Sequence, residues 1–161
     1  MLQKKIHRRI REELEKATVK IITDHGSIGT GFFITPDGYL VTAYHCLENR
    51  NEPDQTAFNL RFVFSDGTVR SVKGLSPIFP GTNRAEGVDR AVLKTSHKPP
   101  AFLPLGRITR ENRNDKVIAV GYAAGHKEVR EIGFYSGEIS SFVGECFEVK
   151  GAIQGSCFAG P

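Results

Sequence analysis

Residues 36–46 read Pro36-Asp37-Gly38-Tyr39-Leu40-Val41-Thr42-Ala43-Tyr44-His45-Cys46. Proline presets the backbone for one corner of a turn, and glycine supplies a positive φ at another. The residues that follow, Tyr39 to Thr42, are aromatic and β-branched, the composition of a strand. Phe32-Phe33-Ile34-Thr35 has the same character upstream, so the stretch predicts an antiparallel hairpin that turns at 36–38. The returning strand runs straight into His45. A histidine just past a buried strand is held by packing while its ring faces a cleft, and an ordinary pKa of about 6.5 suits a general base.

Outward from this hairpin the chain keeps a β rhythm. Val19, Ile21 and Ile22 start a strand that ends at the turn His25-Gly26-Ser27. Residues 57–64 and 68–73 alternate apolar and polar around Ser65-Asp66-Gly67, a second hairpin. Residues 48–56 read as a polar loop, and 76–87, rich in proline and glycine, as a long one. Ala91-Val92-Leu93 is a short buried strand, and Pro99-Pro100 a linker. Short strands are expected at 117–120, 129–134, 138–142 and 147–153. Before all of them, Leu2, Ile6, Ile10 and Leu14 recur every four residues, which puts them on one face of a helix over 3–17 that packs on the body or a partner. The expected class is all-β, with a leading helix and two groups of antiparallel strands that form small barrels.

Composition narrows the function classes. A chain of 161 residues with 39% apolar and 25% charged residues is globular and about one domain, or two small ones. No apolar run reaches the length of a membrane span. The basic N-terminus has no apolar segment after it, unlike a secretory signal, so the expected location is cytoplasmic. Three cysteines (Cys46, Cys146 and Cys157) make neither a disulfide framework nor the paired spacing of a zinc site. The net charge is +4, and the first 20 residues carry seven basic against three acidic side chains, so the excess lies wholly in the leader. A neutral body disfavours nucleic acid as a partner, and the leader reads as a solvated helix face.

Two further segments carry chemistry. Asp89 opens Asp89-Arg90-Ala91-Val92-Leu93-Lys94. A carboxylate at the mouth of a buried strand needs hydrogen bonds to offset desolvation, and a histidine Nδ1–H is one such donor. The remaining histidines (His7, His25, His97 and His126) sit among charged or turn-forming residues and are expected at the surface. The chain closes on Gly155-Ser156-Cys157-Phe158-Ala159-Gly160-Pro161, a turn whose backbone N–H groups could hold an oxyanion beside a Ser or Cys nucleophile.

These segments, in this order, resemble the trypsin/chymotrypsin peptidase family, nearest to its compact bacterial HtrA-like and viral branches. Gly29 to Ile34 resembles the family's glycine-threonine-glycine strand, 36–46 its histidine motif, and 89–94 its aspartate-led strand. Val117 to Tyr122 with Gly125, and Gly137-Glu138-Ile139-Ser140, resemble strands of its second barrel. The resemblance implies a two-barrel fold: a helix at 1–17, a first barrel at 18–98 with His45 as base and Asp89 as triad acid, and a partial second barrel at 99–161. It implies an endopeptidase acting on protein or peptide substrates, with no cofactor and no metal. Cys46 matches a family cysteine that often pairs on the preceding strand. No such partner stands near residue 30, so it is expected to be a small buried side chain.

The nucleophile is where the sequence departs from the family. Matching Ala159-Gly160-Pro161 to the family's Ser-Gly-x-Pro puts alanine at the nucleophile, an inactivated Ser-to-Ala form. Matching Gly155-Ser156-Cys157 instead makes Cys157 the nucleophile, with Phe158 in place of a glycine. The oxyanion donors then come from Gly155, Cys157 and Phe158. Since the family continues past this turn, a partner chain or a further C-terminal segment is expected to complete the second barrel, and release from a viral polyprotein is a second reading of origin. A non-catalytic peptide-binding relative is the alternative function.

Overall fold

The computed structural model describes residues 8–49, 51–52, 55–81, 89–122, 131–143 and 146–151. The nucleophile candidates Cys157 and Ala159, with Gly155 and Phe158, lie outside these residues. Helix α1 (Arg8–Ala17) leads into β1 (Thr18–Thr23), β2 (Ile28–Phe33), β3 (Tyr39–Thr42), β4 (Phe58–Val63) and β5 (Val69–Leu75). Then come β6 (Pro77–Gly81), β7 (Arg90–Lys94), β8 (Lys116–Gly121), β9 (Gly133–Val143) and β10 (Cys146–Gly151).

The first seven strands form one antiparallel sheet in the order β5-β4-β1-β2-β3-β7-β6, curled into a half-barrel. A second sheet follows in the order β10-β9-β8. Alternation sets which face of the first sheet is buried. Val19 and Ile21 on β1, Phe58, Leu60 and Phe62 on β4, and Ala91 and Leu93 on β7 all point inward. Phe33 stacks on Phe64 at 6.1 Å and meets the edge of Phe62 at 6.4 Å, so the aromatic rings close the middle of the core.

The structure departs from the sequence expectations at four places. Residues 77–81, expected inside a loop, form β6. Pro77 and Pro80 are tolerated there because β6 is an edge strand, where a missing N–H breaks no inner ladder. The two strands expected at 129–134 and 138–142 belong, from residue 133 on, to the single strand β9. Gly137 marks a close approach instead of a break: a Cβ there would lie 2.4 Å from Val149 Cγ1. Strand β2 runs Ile28–Phe33, earlier than the strand expected at 32–35, with Gly29 and Gly31 as packing sites in the sheet. A Cβ on Gly31 would meet Ile21 and Leu40 side-chain atoms at 2.7 and 2.9 Å. On α1, Ile10 is 54% exposed, and the helix instead lays Arg11 over the Phe134 ring of β9 at 4.7 Å. Arg8 and Arg11 pair with Glu12 and Glu15, which neutralises part of the basic leader locally.

The two sheets are tied together at a few points. Tyr122 N–H, just after β8, donates to Thr30 Oγ1 at 2.8 Å in a buried bond, and in the connecting segment Leu103 N–H donates to the Phe33 carbonyl at 2.8 Å. Among the described residues, no helix is long and apolar enough to cross a membrane.

The hairpin turn yields a stability prediction. Gly38 (φ +96°) and Gly67 (φ +86°) share a backbone conformation that favours glycine. They differ in space: a Cβ on Gly38 would lie 2.5 Å from the His97 carbonyl oxygen and 2.7 Å from that of Thr95, while Gly67 has open space around it. Gly67→Ala is expected to cost about 1 kcal/mol and Gly38→Ala about 2–4 kcal/mol. Urea unfolding of the two variants measures the gap, and equal costs would show that the 95–97 wall yields.

Candidate active site

The hairpin and β7 together position His45 and Asp89. Strands β3 and β7 pair as Tyr39 with Lys94, Leu40 with Leu93, Val41 with Val92 and Thr42 with Ala91. Carried on beyond Thr42, that register brings Asp89 opposite Tyr44, one residue from His45. The chain leaves β3 through Ala43 into a 3-10 turn at Tyr44–Cys46, closed by Cys46 N–H to Ala43 O at 3.1 Å and Leu47 N–H to Tyr44 O at 2.8 Å. Apolar anchors pin this turn. Leu47 is fully buried, Cys46 is 4% exposed, and Tyr44 meets the Phe58 ring edge-on at 6.4 Å. Thr42 Oγ1, also buried, donates to the Thr30 carbonyl at 2.8 Å and fixes the end of β3 to β2.

The Asp89 carboxylate takes two bonds from the same residue. Its Oδ1 accepts the His45 backbone N–H at 2.9 Å, and its Oδ2 is hydrogen-bonded to His45 Nδ1. Burial alone would raise the Asp89 carboxyl, but the bonds from the His45 ring and main chain, with the Tyr44 N–H, outweigh it and hold the carboxyl below the ordinary range. Each side chain keeps about a third of its surface exposed: 32% for His45 and 35% for Asp89. With Nδ1 held by the carboxylate, Nε2 is left to carry the lone pair toward the cleft. An imidazole in this setting can take a proton from a hydroxyl or thiol and return it to a leaving group.

Three features went unread in the sequence. Cys46 Sγ lies 3.6 Å from His45 Nε2. Gly29 makes room for that thiol, because a Cβ at 29 would lie 2.6 Å from Cys46 Sγ. A cavity of about 380 Å³ opens beside the pair, lined by His25, Ile28, His45, Cys46, Glu48 and Asn51 among others. The expectation of surface histidines at 25 and 97 fails. Both are half-buried; His25 Nε2 and His97 Nε2 are buried without a hydrogen-bond partner, and His25 Nδ1 lies 3.5 Å from Asp24 Oδ1. Their turn-rich surroundings suggested exposure, yet each ring is half-buried at the rim of a cavity. His7 and His126 lie outside the described residues.

The family model described as a trypsin-like peptidase domain matches residues 29–161. Among solved structures, Deg5 is similar at 18% identity with a TM-score of 0.63, over 98% of this chain and 81% of that one. The HtrA-type protease AlgW, as a Ser-to-Ala variant with a tripeptide, is similar at 24% identity with a TM-score of 0.57. That likeness spans 81% of this chain and 38% of the AlgW chain. No curated protein sequence matches. The two structural likenesses establish a shared fold, and the family match runs over both sheets and through the residues that carry His45 and Asp89. The chain belongs to the family of trypsin-like peptidase domains, and its histidine–aspartate pair is set in a protease-type fold.

Proposed function

We propose that this domain is an endopeptidase in which His45 is the general base, Asp89 orients it, and the nucleophile comes from the turn at 155–159. The observation that carries the reading is the doubly bonded Asp89: one oxygen on the His45 main chain and the other on Nδ1. A carboxylate so placed fixes the tautomer and stabilises the imidazolium that forms when the nucleophile loses its proton. The nucleophile attacks a peptide carbonyl, and N–H groups of Gly155, Cys157 and Phe158 hold the oxyanion. His45 then protonates the leaving amine, and water hydrolyses the acyl-enzyme. Position 159 is the assigned nucleophile, alanine standing where the family carries serine. The AlgW neighbour is itself a Ser-to-Ala variant with a tripeptide, a peptide-binding form without its hydroxyl. Cys157 is the second assignment, because it is the one residue of that turn with a thiol.

Active-site acylation distinguishes the two. A serine-directed phosphonate probe and a thiol-directed probe are applied to the chain as it stands and to Ala159→Ser. The phosphonate is expected to label only the serine version, and prior modification of His45 to prevent it. Thiol labelling of Cys157 at a comparable rate in the unaltered chain would move the nucleophile to 157. Peptide binding without labelling in either version would leave a non-catalytic binding module.

Asp89 gives two readouts in the version that acylates. Asp89→Asn is expected to lower kcat by roughly 10⁴-fold, through the wrong tautomer of His45. Its carboxyl is depressed in the folded state, so the unfolded chain binds the extra proton as the pH falls. The stabilisation is therefore present at neutral pH and lost as the pH drops below about 4. Unfolding of wild type and Asp89→Asn should differ at pH 7, and the gap should narrow as the pH falls below about 4. A gap of constant size would mean that Asp89 titrates as a free carboxyl.

A further inference from the structure

We propose that the cavity at the end of the half-barrel away from His45 is a docking site for an acidic peptide segment, with one carboxylate held between Arg70 and Lys98. The docking rests on this cavity alone; the gain it gives to cleavage rests on the reading of the domain as a peptidase. The ladder of β3 and β7 places the cavity. Thr42 and Ala91 stand at the end that leads into His45 and Asp89, and Tyr39 and Lys94 at the other. The chain runs on from Lys94 to Ser96, His97 and Lys98, which form one wall of a space of about 430 Å³. Small-ligand sites occupy about 300–1,000 Å³.

The second wall comes from β5. Arg70 stands across from Phe62 in the register with β4. Directly paired residues share a face of the sheet, and Phe62 is fully buried, so Arg70 emerges on the core-facing side of β5 at the mouth of the half-barrel. The wall beyond β7 is held from behind. Thr95 is buried, and its N–H and hydroxyl both donate to the Gly38 carbonyl, at 2.9 and 3.1 Å. Its Oγ1 also accepts the His97 N–H at 3.3 Å. Ser96 and Lys98 are therefore presented by a fixed backbone, which spares a ligand the cost of ordering it.

The charge balance selects a monoanion. Arg70 and Lys98 bring two positive charges to the cavity, and Asp66 brings one negative charge whose Oδ1 already accepts the Thr68 N–H at 2.8 Å. Among the described residues, no lysine or arginine lines the cavity beside His45. A carboxylate between the two cations gains charge-assisted hydrogen bonds from both, whereas the second charge of a phosphate would face Asp66. Phe64 and Pro100 add apolar surface beside the charges. That mixture matches a peptide in which acidic residues flank an aromatic or aliphatic one.

Fluorescence anisotropy with a fluorescein-labelled peptide of glutamates around one phenylalanine tests the docking without any cleavage assay. Arg70→Gln and Lys98→Gln are each expected to weaken its binding about tenfold. Both side chains are exposed, so neither change opens the core. Asp66→Asn should tighten binding about threefold, and Lys73→Gln, on β5 but outside the cavity, should leave it within about twofold. No binding, equal binding of the glutamine version of the peptide, an equal loss in Lys73→Gln, or displacement by inorganic phosphate at the peptide's own concentration would overturn the proposal. Cleavage reads the consequence. Asp89 and His97 are eight residues apart, roughly 26 Å of extended chain. In the cleaving version, a substrate with the acidic segment about ten residues from its scissile bond should show a KM about fivefold below that of its glutamine counterpart, with kcat unchanged. Arg70→Gln should erase that difference. A four-residue spacer spans at most about 14 Å and should gain nothing. Peptide binding that both cation variants lose, in a chain that cleaves no substrate, would keep the docking site and sink the peptidase reading. Cleavage without peptide binding would do the reverse.

Discussion

One carboxylate holds two strands and one ring in register. Asp89 sits at the entrance to β7, and its two oxygens bind the main chain and the side chain of the residue just past β3. Desolvation opposes an ionised carboxylate there, and only the bonds to His45 and its neighbour reverse that cost. The arrangement survives because the strands behind it cannot slip. A shift of one residue between β3 and β7 would turn Leu40 and Leu93 out of the core, where both are fully buried, and bring their neighbours in. The geometry at the surface is thus set by apolar side chains that never meet a substrate.

The same physics explains which parts of the fold were legible. The hairpin at 36–38, the strands on either side of 65–67 and the short strand after Asp89 all have local signals that agree with their tertiary role. Turn residues stand where turns occur, and β-branched and aromatic residues stand where two faces are packed. Where a local signal misled, a longer-range contact had overridden it. Glycine at 29, 31 and 137 lowers the local strand signal, yet in the sheet its value is the missing Cβ. Proline at 77 and 80 reads as a breaker, yet an edge strand has N–H groups to spare. Ile10 reads as part of a buried stripe, yet the helix leans on the second sheet through Arg11.

In the site, the pairing of His45 with Asp89 was legible and the thiol beside them was not. His45 and Asp89 each stood out by their position beside a strand, and a hydrogen bond between them was a reasonable inference from chemistry. The thiol at 46 gave no such signal. Adjacent residues point apart in a strand, so a neighbouring Cys and His do not suggest a contact between their side chains. The 3-10 turn at Tyr44–Cys46 changes this, because it brings Sγ near Nε2 while Gly29, lacking a Cβ, leaves room for the thiol. The glycine–threonine–glycine run of β2 thereby shapes the site from a strand away.

Thr30, between those two glycines, extends that influence to the second sheet. Its carbonyl accepts the Thr42 hydroxyl at the end of β3, and its own hydroxyl accepts the Tyr122 N–H just after β8. Both bonds are buried, so each would leave an unsatisfied group if the sheets moved apart. The proposed base lies just past the first sheet, and a catalytic group works only if held within about 0.5 Å of its productive position. Long side chains on the surface cannot keep that tolerance, because they change rotamer freely. A buried threonine can: its branched Cβ restricts χ1, and one rotamer commits its hydroxyl to Tyr122. The end of β3, just before His45, and the residue just after β8 are therefore referenced to one threonine.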